Sequence, residues 1–196
     1  MNELPDNPLK IFNEWYALAK PLGEQIADGM ALATASSSAQ PSVRVVLFRG
    51  MLRGGLSFYT NYESRKSLSL LENPNCAVSF YWQPQGHQVR IEGRASRTTR
   101  AESEAYFRSR PRQSQIGAWA SAQSRVIESR STLEAANEAM TKRFEGLAAI
   151  PCPEFWGGFV IQPHLFEFWE ERPYRLHDRL QYVLQEDRWS MSRLSP

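Results

Sequence analysis

Cysteine is scarce in this chain: 196 residues contain only Cys76 and Cys152, in unrelated contexts. That excludes a disulfide framework and a cysteine-built metal site, and it fits free thiols in a reducing compartment. An excess of one charge is lacking too. Lys and Arg number 23 against 21 Asp and Glu, a net charge of +2, so the one-sided basic stripe of a nucleic-acid binder is not expected. No apolar run approaches the ~20 residues that a membrane-spanning helix needs. The start, Met1-Asn2-Glu3-Leu4-Pro5-Asp6, has no basic region followed by an apolar run, so no signal peptide is expected and the cytoplasm is the default location. Repeats, low-complexity tracts and flexible linkers are missing. So are a Ser/His/Asp elbow and a cysteine in a basic setting, which leaves no covalent nucleophile to seek. The length suits a single domain, residues 1–196, with a real core.

What is present is a change of period. Asn7-Pro8 reads as a helix cap with proline in the first turn, and Leu9, Phe12, Trp15, Tyr16 and Ala19 follow at helical spacing. From Met30 the period becomes two, giving strands over 30–35, 43–49, 56–60, 76–82 and 89–97. Asn73-Pro74-Asn75 and Gln83-Pro84-Gln85-Gly86 break the chain between them. Thr99-x-x-Glu102 and Ser131-x-x-Glu134 read as capping boxes, the second opening a helix with Leu133, Ala136, Met140 and Phe144 on one side. Strands resume over 158–161, 165–170, 179–184 and 189–193. Short antiparallel strands with a few helices predict an α+β domain around a closed β-barrel.

Three basic clusters stand out against the near-neutral background. In Arg175-Leu176-His177-Asp178-Arg179 an extended backbone would turn Arg175, His177 and Arg179 to one face, where they would meet an anionic, planar ligand. Arg108-Ser109-Arg110-Pro111-Arg112 leads to Ser114 between two helical patterns, and arginine is suited to gripping phosphate in bidentate fashion. Tyr59-Thr60-Asn61 runs into Ser64-Arg65-Lys66 where a strand gives way to a helix, a second place for a phosphate. Each cluster alone is as readily a solvated surface. Together they predict two phosphorylated ligands, or one ligand with a phosphate at each end.

Ser64-Arg65-Lys66, the 110–119 segment, Gln123-Ser124, Phe155-Trp156-Gly157-Gly158, Glu167-Phe168-Trp169 with the 175–179 run, and the closing Trp189 and Arg193-Leu194-Ser195-Pro196 resemble pyridoxine/pyridoxamine 5'-phosphate oxidases, in order from about Asn7 onward. The resemblance implies an FMN-binding split barrel, antiparallel and Greek-key-like with flanking helices, in which residues 151–196 complete barrel and active site. It also implies a homodimer with flavin at the interface. The activity implied is oxidation of pyridoxine or pyridoxamine 5'-phosphate to pyridoxal 5'-phosphate, with dioxygen as acceptor and hydrogen peroxide as product. For FMN it implies Arg44, Val45, Val46, Leu47, Phe48, Arg49, Tyr59, Thr60, Arg65, Lys66, Gln88, Gln123, Ser124, Trp169 and Arg179. For the substrate it implies Arg49, Tyr106, Arg110, Ser114, Arg175, Leu176 and His177, with Arg175 and His177 over the pyridine ring, and it implies no metal. His87 and His164 match no functional position and read as surface or loop residues.

Two departures accompany the resemblance. Arg49 stands where the family usually has lysine, which keeps the charge but changes the donor geometry. The chain also starts just before its first helix, where relatives often carry an arm over the active site. Two other readings share the fold: the flavin oxidase of phenazine biosynthesis, and a flavin- or haem-binding split barrel without oxidase turnover.

Overall fold

The computed structural model describes residues 5–196. Helix α1 (Pro8–Ala19) starts where expected, because the Asn7 side chain accepts a hydrogen bond from the Leu9 N–H at 3.0 Å and Pro8 occupies the first turn. It buries Ile11 and Phe12. The four-residue helix α2 (Glu24–Ala27) follows. Strands β1 (Gly29–Ala35), β2 (Pro41–Leu47), β3 (Met51–Leu52) and β4 (Gly55–Asn61) lead to helix α3 (Arg65–Glu72). Then come β5 (Asn75–Trp82), β6 (His87–Arg97), helices α4 (Arg100–Ser109), α5 (Arg112–Ala120) and α6 (Arg130–Arg143), and finally β7 (Trp156–Glu170), β8 (Asp178–Gln185) and β9 (Arg188–Arg193).

Among the described residues all nine strands belong to one antiparallel sheet, in the order β2-β1-β5-β6-β7-β4-β3, with β8 and β9 added beside β7. The sheet curls until its ends meet just past β2. There the Arg49 N–H donates to the Ser57 carbonyl at 2.8 Å, and the Ser57 N–H donates to the Gly50 carbonyl at 3.0 Å. The interior is aromatic: Phe12, Phe48, Phe80 and Trp82 pack together, with Met30, Leu32 and Ile91 fully buried around them. Each such side chain contributes roughly 1.5–3 kcal/mol by leaving water. A second cluster, Phe107, Ile116, Phe144, Ile150 and Trp156, fastens the α4–α6 layer to the start of β7.

Several expectations need correction. The two strands over 158–161 and 165–170 are one 15-residue strand, β7. Its irregular middle is absorbed by a register shift between Glu92 and Gly93 of β6, opposite Pro163. The Thr99/Glu102 capping box forms, but Ser131 does not cap α6. Ser129 does, accepting from the Thr132 N–H, while Glu134 pairs with Arg130 one turn earlier. His87 is not a loop residue. It opens β6 and stacks on Trp15 with ring centroids 3.8 Å apart. The largest correction concerns the 175–179 run. Pro173–Arg175 is a single 3₁₀ turn with Tyr174 at φ 59° and Arg175 at φ 63°, and β8 begins only at Asp178. Arg175, His177 and Arg179 therefore do not share a strand face.

Candidate active site

A cavity of about 290 Å³ opens between the ends of β2 and β4 and helices α3 and α4, lined by Val45, Val46, Leu47, Arg49, Tyr59, Thr60, Lys66, Tyr106, Arg110, Gln123 and Trp156. Two kinds of wall meet in it. On one side Lys66, in the first turn of α3, donates from Nζ to Thr60 Oγ1 at 2.9 Å, Ser64 Oγ at 3.0 Å and Gln123 Oε1 at 2.6 Å. Burial and then the nearby Arg44 guanidinium push its pKa down to about 8. Arg44 is lowered as well, by burial and by Arg65. Three cations held this close, without a carboxylate bonded to any of them among the described residues, form a site whose repulsion an anion would relieve.

The other wall is an aromatic stack bearing arginines. The rings of Tyr59 and Tyr106 lie 3.8 Å apart and nearly parallel, and Tyr106 is parallel within 1° to Trp156 at 6.3 Å. The Arg110 guanidinium sits 4.8 Å over the Trp156 ring. Its Nη1 is buried and has no hydrogen-bond partner among the described residues, and burial lowers its pKa. Leaving a buried guanidinium donor unsatisfied is costly, so this atom marks where an acceptor fits. Gly157 and Gly158 explain how the wall closes. A Cβ on Gly158 would stand 2.8 Å from the Tyr59 ring, and one on Gly157 2.2 Å from the Tyr62 hydroxyl. Only glycine lets β7 run this close behind the tyrosines.

The cavity gathers Val45, Val46, Leu47, Arg49, Tyr59, Thr60, Lys66, Tyr106, Arg110 and Gln123 from the residues named in advance. Others lie apart. The Phe48 ring points into the core, and Arg44 is tied to Leu32, Thr34 and Ser42 behind the wall. Arg65 and Ser124 border a neighbouring groove. Ser114 sits in the first turn of α5 and does not line the cavity. Gln88, Trp169 and Arg179 face one another across β6, β7 and β8 in a single row. Arg179 in that row is held by Glu167 through Nε at 3.0 Å and Nη2 at 2.8 Å. His177 packs its ring 4.5 Å from Trp169, and its Nδ1 accepts from the Arg172 N–H. Arg175 and Leu176 are exposed beside it. Trp156 had no role assigned from sequence, although the glycine pair after it is the signal of a close approach. Glu24 and Asp28, both bonded to Arg49, had no sequence signal at all.

A curled antiparallel sheet of this kind is the fold of the flavin-binding split barrels. The solved FMN-binding, pyridoxamine 5'-phosphate oxidase-related protein of Nostoc punctiforme shares it, with a TM-score of 0.76 at 15% identity over 97% of this chain and 98% of that one. Residues 27–144 match the pyridoxamine 5'-phosphate oxidase family model, and residues 156–196 match the pyridoxine 5'-phosphate oxidase C-terminal dimerisation region. Pyridoxine/pyridoxamine 5'-phosphate oxidases of Crocosphaera subtropica and Burkholderia lata are 46% and 47% identical, over 100% and 99% of this chain and 92% and 91% of theirs. The solved PhzG of Burkholderia lata, in complex with tetrahydrophenazine-1-carboxylic acid, superposes with a TM-score of 0.92 at 30% identity, covering 100% of this chain and 95% of that one. The chain belongs to the pyridoxine/pyridoxamine 5'-phosphate oxidase family. Its match to a dimerisation region supports assembly as a homodimer. No helix among the described residues is long and apolar enough to cross a membrane, and none of them form a His/Cys/Asp/Glu group able to hold a metal.

Proposed function

We propose that this protein oxidises pyridoxine 5'-phosphate or pyridoxamine 5'-phosphate to pyridoxal 5'-phosphate, with FMN as cofactor and dioxygen as electron acceptor, in the cytoplasm. The observation that carries the reading is one cavity lined on one side by Lys66, with Arg44 and Arg65 behind it, and on the other by an arginine-bearing aromatic wall. The residues fit the cofactor: Lys66, Arg65 and Arg44 form an anion cradle beside Gln123, an amide able to meet the polar edge of a ring. FMN, when bound, supplies the hydride acceptor and passes the electrons to dioxygen, giving hydrogen peroxide.

The protein's own part is positioning. Arg110 offers its unpartnered Nη1 to the vitamer phosphate, with Arg49 and Tyr106 beside it and Ser114 near the start of α5. Anchoring that phosphate fixes where the C4' carbon lies. The row Gln88, Trp169 and Arg179, with Arg175, Leu176 and His177 next to it, completes the cavity of the second protomer, which is why these residues stay apart within one chain. Arg175 and His177 then lie over the pyridine ring, where an exposed guanidinium orients the substrate. The sheet that runs through both matched stretches supports a single domain over residues 1–196. The greater identity to pyridoxine/pyridoxamine 5'-phosphate oxidases than to the phenazine enzyme favours the vitamer as substrate. The test is direct: purified protein should carry a flavin spectrum and form pyridoxal 5'-phosphate with release of hydrogen peroxide. Absence of both would end the proposal.

A further inference from the structure

Arg49 is over-matched by carboxylates. Its Nη1 contacts both Glu24 Oε1 and Asp28 Oδ2, the latter at 3.1 Å. Asp28 is the fixed partner. Its side chain is 14% exposed, and its other oxygen accepts from the Tyr16 hydroxyl at 2.7 Å. Burial and that bond to Asp28 raise Tyr16 to about 12, so the phenol stays a donor through the physiological range. Glu24 is the loose partner: its side chain is 58% exposed, on a helix of four residues, and its only hydrogen bond among the described residues is to Arg49. One guanidinium thus faces two carboxylates at the rim of a cavity read as taking a phosphate. Asp28 alone would orient and neutralise Arg49. Glu24 adds a surplus negative charge on a cation that lines the cavity together with Tyr106 and Arg110.

We infer that Glu24 is a specificity-determining residue that competes with the phosphate of the incoming ligand for Arg49, so that affinity for phosphorylated vitamers is set by an internal anion. The inference rests on the reading of Arg49, Tyr106 and Arg110 as the phosphate-binding end. Arginine at position 49 suits this arrangement. Its five donors let Nη1 keep Asp28 while a ligand phosphate draws on Nε and Nη2, so that phosphate and Glu24 compete for the charge of one guanidinium, which a lysine ammonium with three donors on one atom could not arrange as well. Glu24 is the partner that yields, being long, exposed and otherwise unbonded.

The experiment is Glu24→Gln, nearly isosteric and on an exposed side chain, in flavin-loaded full-length protein. Pyridoxal 5'-phosphate should bind it about two- to fivefold more tightly, the range that a partly exposed ion pair carries. The Michaelis constant for pyridoxine 5'-phosphate should fall by a similar factor, with the effect on KM and not on kcat. Unphosphorylated pyridoxal should bind both proteins alike. The gain should shrink as salt is raised, and it should vanish when Glu24→Gln is combined with Arg49→Met. Unchanged or weaker binding of pyridoxal 5'-phosphate by Glu24→Gln, or a gain that survives in the Arg49→Met background, overturns the inference. Arg110→Ala separates this from the underlying reading. If Arg110→Ala weakens pyridoxal 5'-phosphate binding and Glu24→Gln changes nothing, the competition alone is wrong. If Arg110→Ala has no effect, the phosphate-binding end itself is misplaced.

Discussion

The two parts of the candidate site are held in opposite ways. The cavity between β2, β4, α3 and α4 is walled by residues fixed through strand register, helix starts and ring stacking, and one chain builds it. The 173–177 segment is an exposed turn with Tyr174 92% exposed, two consecutive residues at positive φ, and Arg175 without a hydrogen bond or ion pair among the described residues. A side chain locked by its neighbours can be preorganised for a ligand within one protomer. A side chain on a bare turn acquires a fixed position only from something outside its own chain. The difference is that the protomer builds the cavity by itself, while Arg175 and His177, proposed above to face the substrate ring, sit on an exposed turn that no element of the same chain fixes.

The most damaging way to probe the cavity is through Lys66. Lys66→Ala removes a cation bonded to Thr60, Ser64 and Gln123, and Lys66→Ala with Arg65→Ala should release flavin from folded protein. Charge-assisted phosphate contacts are worth on the order of 1.5–3 kcal/mol each, so the pair should weaken binding by a few orders of magnitude, read by flavin fluorescence on dilution. Retention of flavin at micromolar dilution would remove the cation cluster from the cofactor site. The pH dependence carries its own sign. Because burial lowers Lys66 from 10.5 to about 8 in the empty protein, flavin affinity should decline as pH rises above about 8, where Lys66 loses its charge. Stability of the flavin-free protein should move the other way, rising between about 8 and 10.5, since there the unfolded chain binds the extra proton.

The turn should respond differently. Arg175→Ala should leave the protein yellow and folded while slowing anaerobic flavin reduction by pyridoxine 5'-phosphate by up to about a hundredfold, roughly the cost of misplacing a substrate by an ångström. If the turn serves the other protomer's cavity, flavin-releasing chains with Lys66→Ala and Arg65→Ala and impaired Arg175→Ala chains, unfolded and refolded together, should exceed the activity of either alone. Random pairing places both intact halves in about a quarter of the sites. No recovery would mean that each protomer's turn serves its own cavity.

Strand positions were largely legible because alternation is a short-range property, visible over 43–49 and 56–60, whereas the place of Val45, Leu47, Tyr59 and Thr60 in the cavity followed from the family resemblance. The same logic failed at 175–179. Alternation in the sequence predicts extended backbone, but Pro173 starts a 3₁₀ turn and two left-handed residues reverse the chain before β8. Nothing local signals positive φ at a tyrosine and an arginine. Glu24 and Asp28 were illegible for another reason. Their partner, Arg49, lies more than twenty positions along the chain and meets them only once the barrel has closed.

Gly158→Ala tests the cavity wall with a single methyl group. The new Cβ would meet the Tyr59 ring at 2.8 Å and the Phe58 carbonyl at 2.9 Å, so the tyrosine must leave its stack on Tyr106. Overpacking of this kind costs about 1–3 kcal/mol, visible in urea unfolding, and ligand binding should weaken with it. Normal stability would mean that the wall is softer than its packing implies.

Tyr174→Gly is the matching change in the turn, and its expected effect on stability is the smallest. Tyr174 sits at φ 59° and is 92% exposed, so it contributes little burial to its own protomer. Glycine relieves the left-handed strain but adds freedom to the unfolded chain, two terms of similar size and opposite sign. The net change in unfolding free energy should stay within about 0.5 kcal/mol, as for exposed substitutions generally. Turnover should nevertheless fall, because a looser turn holds Arg175 less well over its substrate. A loss well above 1 kcal/mol measured on the dimer, but absent when dissociated protomers are unfolded, would place the Tyr174 ring against the partner. The same loss in both would tie the turn into the fold of a single chain and undo the contrast with the cavity.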